Sequence, residues 1–237
     1  MTVYSDRLRG NDMKRAVRQF LGRVRFEVAR QLRPRVQGRL QPYRYTLPNR
    51  YPWMFEFACS RLRDVSTPRL LSFGCSTGDE LVSLRSAFPE AIIRGLDIAP
   101  AAIAACRTRL ASDDRISVAV ACDARGEEKD SFGAVFCLAV LCHGDLTATG
   151  ATRSDRLFPF SRFEEAVADL ARCVRPGGHL FIQSANFRFS ETATASKFDV
   201  VLLASKEQAA VDLLYDCNNC LVVGEPYYPV GFCKRAS

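Results

Sequence analysis

The apolar run Leu70-Leu71-Ser72-Phe73 ends in Gly74-Cys75-Ser76-Thr77-Gly78, and from Asp79 onward the pattern becomes helical. A strand that enters a glycine-bounded turn and leaves as a helix gathers backbone amides at the helix N-terminus, where they can face a ligand. In open α/β sheets, turns of this kind at the carboxyl ends of strands wall a ligand crevice. A second apolar run, Ala91 to Leu96, closes in Asp97, nineteen residues after Gly78. That separation suits an acid accepting hydrogen bonds from a ribose, so the pair points to an adenosine-type ligand.

The charges in the turn narrow the choice. Ser76 stands where Gly-x-Gly-x-x-Gly has its middle glycine, and no Lys-Ser/Thr follows as a phosphate-binding loop requires. Asp79 and Glu80 open the helix. Two carboxylates there would repel a pyrophosphate but suit a phosphate-free nucleoside carrying positive charge, such as S-adenosylmethionine.

Around this turn the sequence alternates strand and helix. Strands are expected at Leu70 to Phe73, Ala91 to Asp97, Ile116 to Cys122, Ala134 to Leu141 and His179 to Ser184. Helices are expected at Pro52 to Leu62, Asp79 to Phe88 and Pro100 to Leu110. A further helix is opened by the capping box Ser161-Arg162-Phe163-Glu164, runs to Val174 and is stopped by Pro176-Gly177. The alternation predicts an α/β fold: a doubly wound, mostly parallel Rossmann-like sheet with right-handed crossovers. Phe198 to Ala204 fits either strand or helix, and Tyr227 to Arg235 reads as a closing edge strand broken by Pro229 and Gly231.

The order Gly74 to Gly78, Asp97, Asp123, the run Ala134 to Val140, then Arg175-Pro176-Gly177-Gly178 before a strand resembles the class I S-adenosylmethionine-dependent methyltransferases. The likeness covers roughly residues 65 to 185 and is specific for the cofactor rather than the substrate. Cys75 to Glu80 is locally similar to the turn of chemotaxis receptor methyltransferases, without any other match to that subfamily. The resemblance implies S-adenosylmethionine as cofactor and S-adenosylhomocysteine as product. It places Gly74, Cys75, Ser76, Gly78, Glu80, Asp97, Ile98, Asp123, Ala124 and Leu138 around the cofactor, with Asp97 on the ribose hydroxyls and Asp123 and the Ala124 amide on the adenine. Asp97 has the alternative role of a helix cap before Pro100, and Asp123 that of capping a turn. One departure stands out: Ser72 occupies the position, two before the first glycine, where many members carry an acid that holds the methionine amino group. Asp79 or Glu80 takes over that task, or both simply favour the helix N-terminus.

The end of the fourth strand, Leu138-Ala139-Val140-Leu141-Cys142-His143, is where donor meets acceptor in this fold. It lacks the Asn-Pro-Pro-Tyr character of nucleobase amine methylases and the Pro-Cys nucleophile of cytosine C5 enzymes. His143 is the candidate general base, with a structural loop histidine as the alternative. The acceptor site is expected among Tyr51, Trp53, His143, Asn186 and Arg188, under a roof formed by the N-terminal segment and the residues after the fifth strand.

Charge divides the chain. Residues 1–60 hold thirteen Lys/Arg against four Asp/Glu, a balance of +9, and the remainder balances at −2. Apolar residues from Met13 to Leu32 recur at helical spacing beside a cationic face, so residues 1–62 read as a basic helical extension and 63–237 as the cofactor domain. That helix offers a site for RNA, an acidic protein or an anionic surface, and the alternatives to a small-molecule methyltransferase are an RNA or protein methyltransferase and a non-catalytic binding protein. The ten cysteines sit mostly inside apolar runs, as reduced core thiols of a cytoplasmic protein do. Cys217-Asn218-Asn219-Cys220 has zinc-knuckle spacing without a second pair and reads as a polar turn, so no metal is expected. No run reaches the length of a membrane span.

Overall fold

A computed structural model describes residues 40, 41, 46, 48–210, 212–224 and 226–236, all within one unit that spans residues 38–237. The basic helix expected from Met13 to Leu32 lies outside the described residues.

The chain enters through α1 (Pro52–Leu62) and then alternates β1 (Arg69–Phe73), α2 (Asp79–Ala87), β2 (Ile92–Asp97), α3 (Pro100–Arg109), β3 (Ile116–Val120) and β4 (Phe132–Leu138). A short α4 (Gly144–Thr149) and the longer α5 (Phe160–Cys173) precede β5 (Val174–Gln183), and β6 (Phe198–Leu203) and β7 (Pro229–Lys234) complete the sheet. The seven strands lie in the order β3-β2-β1-β4-β5-β7-β6. Pairing is parallel from β3 through β5, while β7 runs antiparallel to both β5 and β6. This is the predicted doubly wound sheet.

Both faces of the central strands are covered, which is why their sequences read as unbroken apolar runs. Side-chain alternation sorts them. Leu71, Val135, Cys137, Leu180 and Ile182 share one core with Phe163, Val167 and Leu170 of α5. Leu70, Ile93, Ala134, Phe136 and Phe181 share the other with Met54, Phe55, Ala58 and Leu62 of α1 and with Leu81 and Leu84 of α2. Helix α1, read from the sequence as part of the extension, therefore packs within the same unit as the sheet.

Two expectations are corrected. Ser161 does not cap a helix: α5 begins at Phe160, after Pro159, and the Phe160 N–H donates to Asn219 Oδ1 at 2.7 Å. The cap comes from the Cys217-Asn218-Asn219-Cys220 turn, where Asn219 takes a left-handed φ of 65°. Helix α5 ends at Cys173, with Val174 as its C-cap as expected, and Pro176-Gly177 fall in a register shift of β5 between the pairs Phe132/Val174 and Ala134/His179. Its last carbonyls are met by Lys234, whose Nζ donates to Ala171 O at 3.0 Å, Val174 O at 2.7 Å and Asp130 Oδ1 at 2.7 Å. Finally, β7 is not an edge strand. It is inserted between β5 and β6, and β6 forms the edge.

Candidate cofactor site

The strand order reverses between β1 and β4, and ligands of open α/β sheets bind outside the carboxyl ends of the strands at that point. A cavity of about 940 Å³ lies there. Its floor is the turn after β1. Gly74 has φ 85°, and a Cβ on it would lie 2.2 Å from Val140 Cγ2 at the end of β4, so the turn accepts no side chain there. The Gly74 and Cys75 amides donate to Leu96 O at 2.7 and 3.0 Å, tying the turn to the end of β2. Gly78, at φ 92°, then starts α2.

Asp97 closes β2 and is 8% exposed, at the cavity wall. Its Oδ2 accepts the Ser76 N–H at 2.9 Å, and its Oδ1 accepts the Ala99 N–H at 2.8 Å. The acid thus joins the glycine turn to the approach of α3, and each carboxylate oxygen keeps a lone pair for a ligand. The two roles considered for Asp97, cap and ligand acceptor, are geometrically compatible.

The acids at the start of α2 part company. Asp79 pairs with Arg109 of α3 at 2.5 Å and does not line the cavity. Glu80 does line it, and its Oε1 accepts the Ser72 hydroxyl at 2.7 Å. Ser72 is fully buried, so the serine that replaces the usual acid carries a carboxylate from one turn downstream. Burial pushes the Glu80 carboxyl up to about 7, against the opposing influence of the Ser72 hydrogen bond and the Arg50 guanidinium. Arg50 and Tyr51 line the same cavity, with the guanidinium 5.1 Å from the Tyr51 ring centroid.

Of the residues expected at the cofactor, Gly74, Cys75, Ser76, Glu80, Asp97, Ile98 and Leu138 are brought to this cavity. Gly78 shapes the turn beneath it, where a Cβ would meet Cys106 Sγ at 2.8 Å. Asp123 lies beyond the wall formed by Ala121 and Cys122, accepting the Arg125 N–H at 3.1 Å. The Ala124 amide is already committed to Asp169 Oδ2 at 2.6 Å, so it is not presented to a base.

Among the expected acceptor residues only Tyr51 lines this cavity. Trp53, in the first turn of α1, packs against the core. His143 lines neither this cavity nor the second one at the end of β5. It starts α4, its backbone N–H donates to Asn186 Oδ1 at 2.6 Å, and burial lowers its imidazole below the usual range. Asn186 is fully buried and also donates through Nδ2 to Leu213 O at 2.8 Å, knitting two loops rather than facing a ligand. Arg188 pairs with Glu191 at 3.6 Å. The second cavity and its residue Asp212 escaped sequence reasoning, because the chain after Ser184 carries no clear periodicity or motif.

A set made of a ribose-spaced acid, a buried acid suited to a cation and the apolar surfaces of Ile98, Ala121 and Leu138 fits S-adenosylmethionine. Comparison with known proteins agrees. Residues 71–182 match the family described as a methyltransferase domain. The N-methyltransferase NodS from Bradyrhizobium japonicum shares the fold at 16% identity and TM-score 0.51, over 79% of this chain and 99% of its own. A protein assigned as an S-adenosylmethionine-dependent methyltransferase from Methanococcus maripaludis aligns at 17% identity and TM-score 0.42, over 56% of this chain and 54% of its own. The [4+2]-cyclase SpnF aligns at 18% identity and TM-score 0.42, over 55% and 43%. The chain thus spans about half the length of the latter two proteins. No protein of curated function matches it in sequence. Among the described residues, no helix is long and apolar enough to cross a membrane. The match to a methyltransferase domain thus covers residues 71–182, just under half of the chain, and the sheet built around them has the fold of that domain.

Proposed function

We propose that this protein transfers the methyl group of S-adenosylmethionine to an oxygen or nitrogen atom of a small molecule by in-line displacement. The observation that carries the reading is the Asp97 carboxylate, anchored by the Ser76 and Ala99 amides across the crevice from Glu80. Asp97 takes the ribose hydroxyls, while Glu80, steadied by Ser72, takes the amino group of the methionine part and Arg50 its carboxylate. Ile98, Ala121 and Leu138 face the adenine, with Asp123 at its outer edge.

When bound, the cofactor supplies a methyl carbon made electrophilic by its sulfonium. The protein's task is then to orient. Alignment of donor and acceptor is worth on the order of 7 to 11 kcal/mol, against about 3 to 5 kcal/mol for a general base. A small acceptor is supported by Leu40, Gln41 and Thr46, which line the crevice as well, with Gln41 Nε2 held 2.9 Å from Cys142 Sγ. Five buried thiols, Cys75, Cys106, Cys137, Cys142 and Cys173, all outside disulfides, support a reducing, cytoplasmic setting.

Calorimetry tests the reading. S-adenosylhomocysteine should bind the full chain, NAD should not compete, and a screen of small amines and alcohols with S-adenosylmethionine should yield products heavier by one methylene. Tighter binding of NAD than of S-adenosylhomocysteine would overturn it. RNA affinity that rose steeply at low salt would instead direct the search to a nucleic-acid acceptor.

A further inference from the structure

The loop from β3 to β4 carries one wall of the cofactor cavity, at Ala121 and Cys122, and is fastened from three sides. The Ala121 N–H donates to Asp97 O at 3.0 Å, joining the start of the loop to the acid that closes β2. Farther along, α5 takes hold of the turn at residues 124–127. Asp169 Oδ2 accepts the Ala124 N–H at 2.6 Å, and the Arg172 guanidinium donates to Ala124 O at 2.8 Å and Glu127 O at 2.9 Å. The same guanidinium lies 3.3 Å from Asp169 Oδ1, one helical turn away. The Glu127 carboxylate in turn accepts from Arg94 Nε of β2 at 2.9 Å. Ala124 is 1% exposed, so its N–H and carbonyl both require partners, and charged groups meet both. Helix α5 does not depend on these two side chains for its own docking, since Phe163, Val167 and Leu170 pack it against the sheet.

Asp123 stands between the cavity wall and this clamp. Its Oδ1 accepts the Arg125 N–H at 3.1 Å, and Arg125 lies inside the clamped turn, so the bearing of the carboxylate is inherited from α5. Its Oδ2 lies 3.7 Å from Cys122 Sγ and 3.9 Å from Arg125 Nε. We propose that Asp169 and Arg172 are positioning residues for the base of the cofactor: neither lines the cavity, but together they aim the Asp123 carboxylate at the exocyclic amine of the adenine. The proposal rests on the methyltransferase reading above, in which Asp123 stands at the outer edge of the adenine. A carboxylate there accepts from the amine of adenine, whereas hypoxanthine turns a carbonyl oxygen, a second acceptor, towards it. Selectivity for the base then depends on where the carboxylate points, and a turn released from α5 lets it swing into water.

The test titrates the full chain with S-adenosylhomocysteine and with its deaminated analogue, S-inosylhomocysteine, and reads the ratio of the two affinities. The unaltered protein should favour the adenine compound about tenfold or more. Asp169→Ala and Arg172→Ala should each lower the ratio at least about fivefold, while Asp169→Asn, which keeps an acceptor for the Ala124 N–H, should hold it within about twofold. Asn219→Ala, which removes the partner of the Phe160 N–H at the other end of α5, reports what destabilisation alone does and should leave the ratio unchanged. A ratio that survives both alanine variants at the clamp, or one that Asn219→Ala lowers as far, overturns this assignment alone. So does an unaltered protein that binds S-adenosylhomocysteine without favouring it over the analogue. Failure of the unaltered protein to bind S-adenosylhomocysteine overturns the methyltransferase reading itself.

Discussion

Glu80→Gln should stabilise the ligand-free protein in mildly alkaline solution and at the same time weaken its grip on the cofactor. The glutamine carbonyl still accepts the Ser72 hydroxyl, so the substitution isolates the charge. In the folded protein the Glu80 carboxyl sits at about 7, against an ordinary 4.5. Below the lower value both folded and unfolded chains hold the proton, and Glu80 contributes nothing. Between the two values the folded state binds the proton more tightly, so stability falls as pH rises; above the upper value the loss is complete. At 1.36 kcal/mol per unit, a rise of this size corresponds to a loss of about 3 kcal/mol. Urea denaturation of the wild type and the variant should therefore give similar stabilities at about pH 4.5 and a variant more stable by up to about 3 kcal/mol at about pH 8. Cofactor binding runs the other way. A cation beside Glu80 favours its ionised form, so wild-type affinity for S-adenosylhomocysteine should climb through about pH 7, and the variant's should not. The lost charge-assisted hydrogen bond is worth about 1.5 to 3 kcal/mol, or roughly 10- to 100-fold in affinity at about pH 8. Parallel stability curves and parallel affinity profiles for the two proteins would refute the reasoning.

Other outcomes follow from the same geometry. Asp97→Asn retains an acceptor for one of the Ser76 and Ala99 amides and opposes the other with its own NH₂; chemical denaturation should register a loss of about 1 to 3 kcal/mol and calorimetry a drop of at least about tenfold in S-adenosylhomocysteine affinity. Undiminished affinity would remove Asp97 from the site. His143→Ala should change the rate of methyl transfer by less than about tenfold, since a general base is worth about 10² to 10⁴, and a larger drop in kcat would return the base role to this residue. Asn219→Ala, which deprives the Phe160 amide of its partner, should cost about 1 to 2 kcal/mol in unfolding free energy without altering cofactor affinity.

The half of the molecule that was legible in sequence is the half whose logic is local. The passage from Phe73 through Gly74 to Asp79 declares a strand, a turn and a helix in consecutive residues, and the parallel strands advertise their burial as unbroken apolar runs. Asp97 could be singled out because the chain between β1 and β2 has a fixed length to cover. What stayed hidden depends on partners far away along the chain. Asn219 caps a helix 59 residues upstream, and the competing Ser161 signal was stronger by every local criterion. The placement of β7 depends on pairing with both β5 and β6, which no periodicity in Pro229–Lys234 encodes. The replacement of an acid at Ser72 by one at Glu80 was posed by the sequence as a choice between Asp79 and Glu80, and the distant Arg109 pairing of Asp79 together with the Ser72 hydrogen bond to Glu80 separates them.

The position of β7 also governs how the chain is made. Strand β6 is synthesised first, but its sheet partner among the described residues is β7, more than two dozen residues later. Until that partner leaves the ribosome, Val200 and Leu203 belong to an orphaned ribbon and the carbonyls Ala171 O and Val174 O await Lys234. Residues 229–234 are in this sense the zipper pull of the sheet, and a nascent chain halted short of them presents an unclosed flank to chaperones and to its own copies.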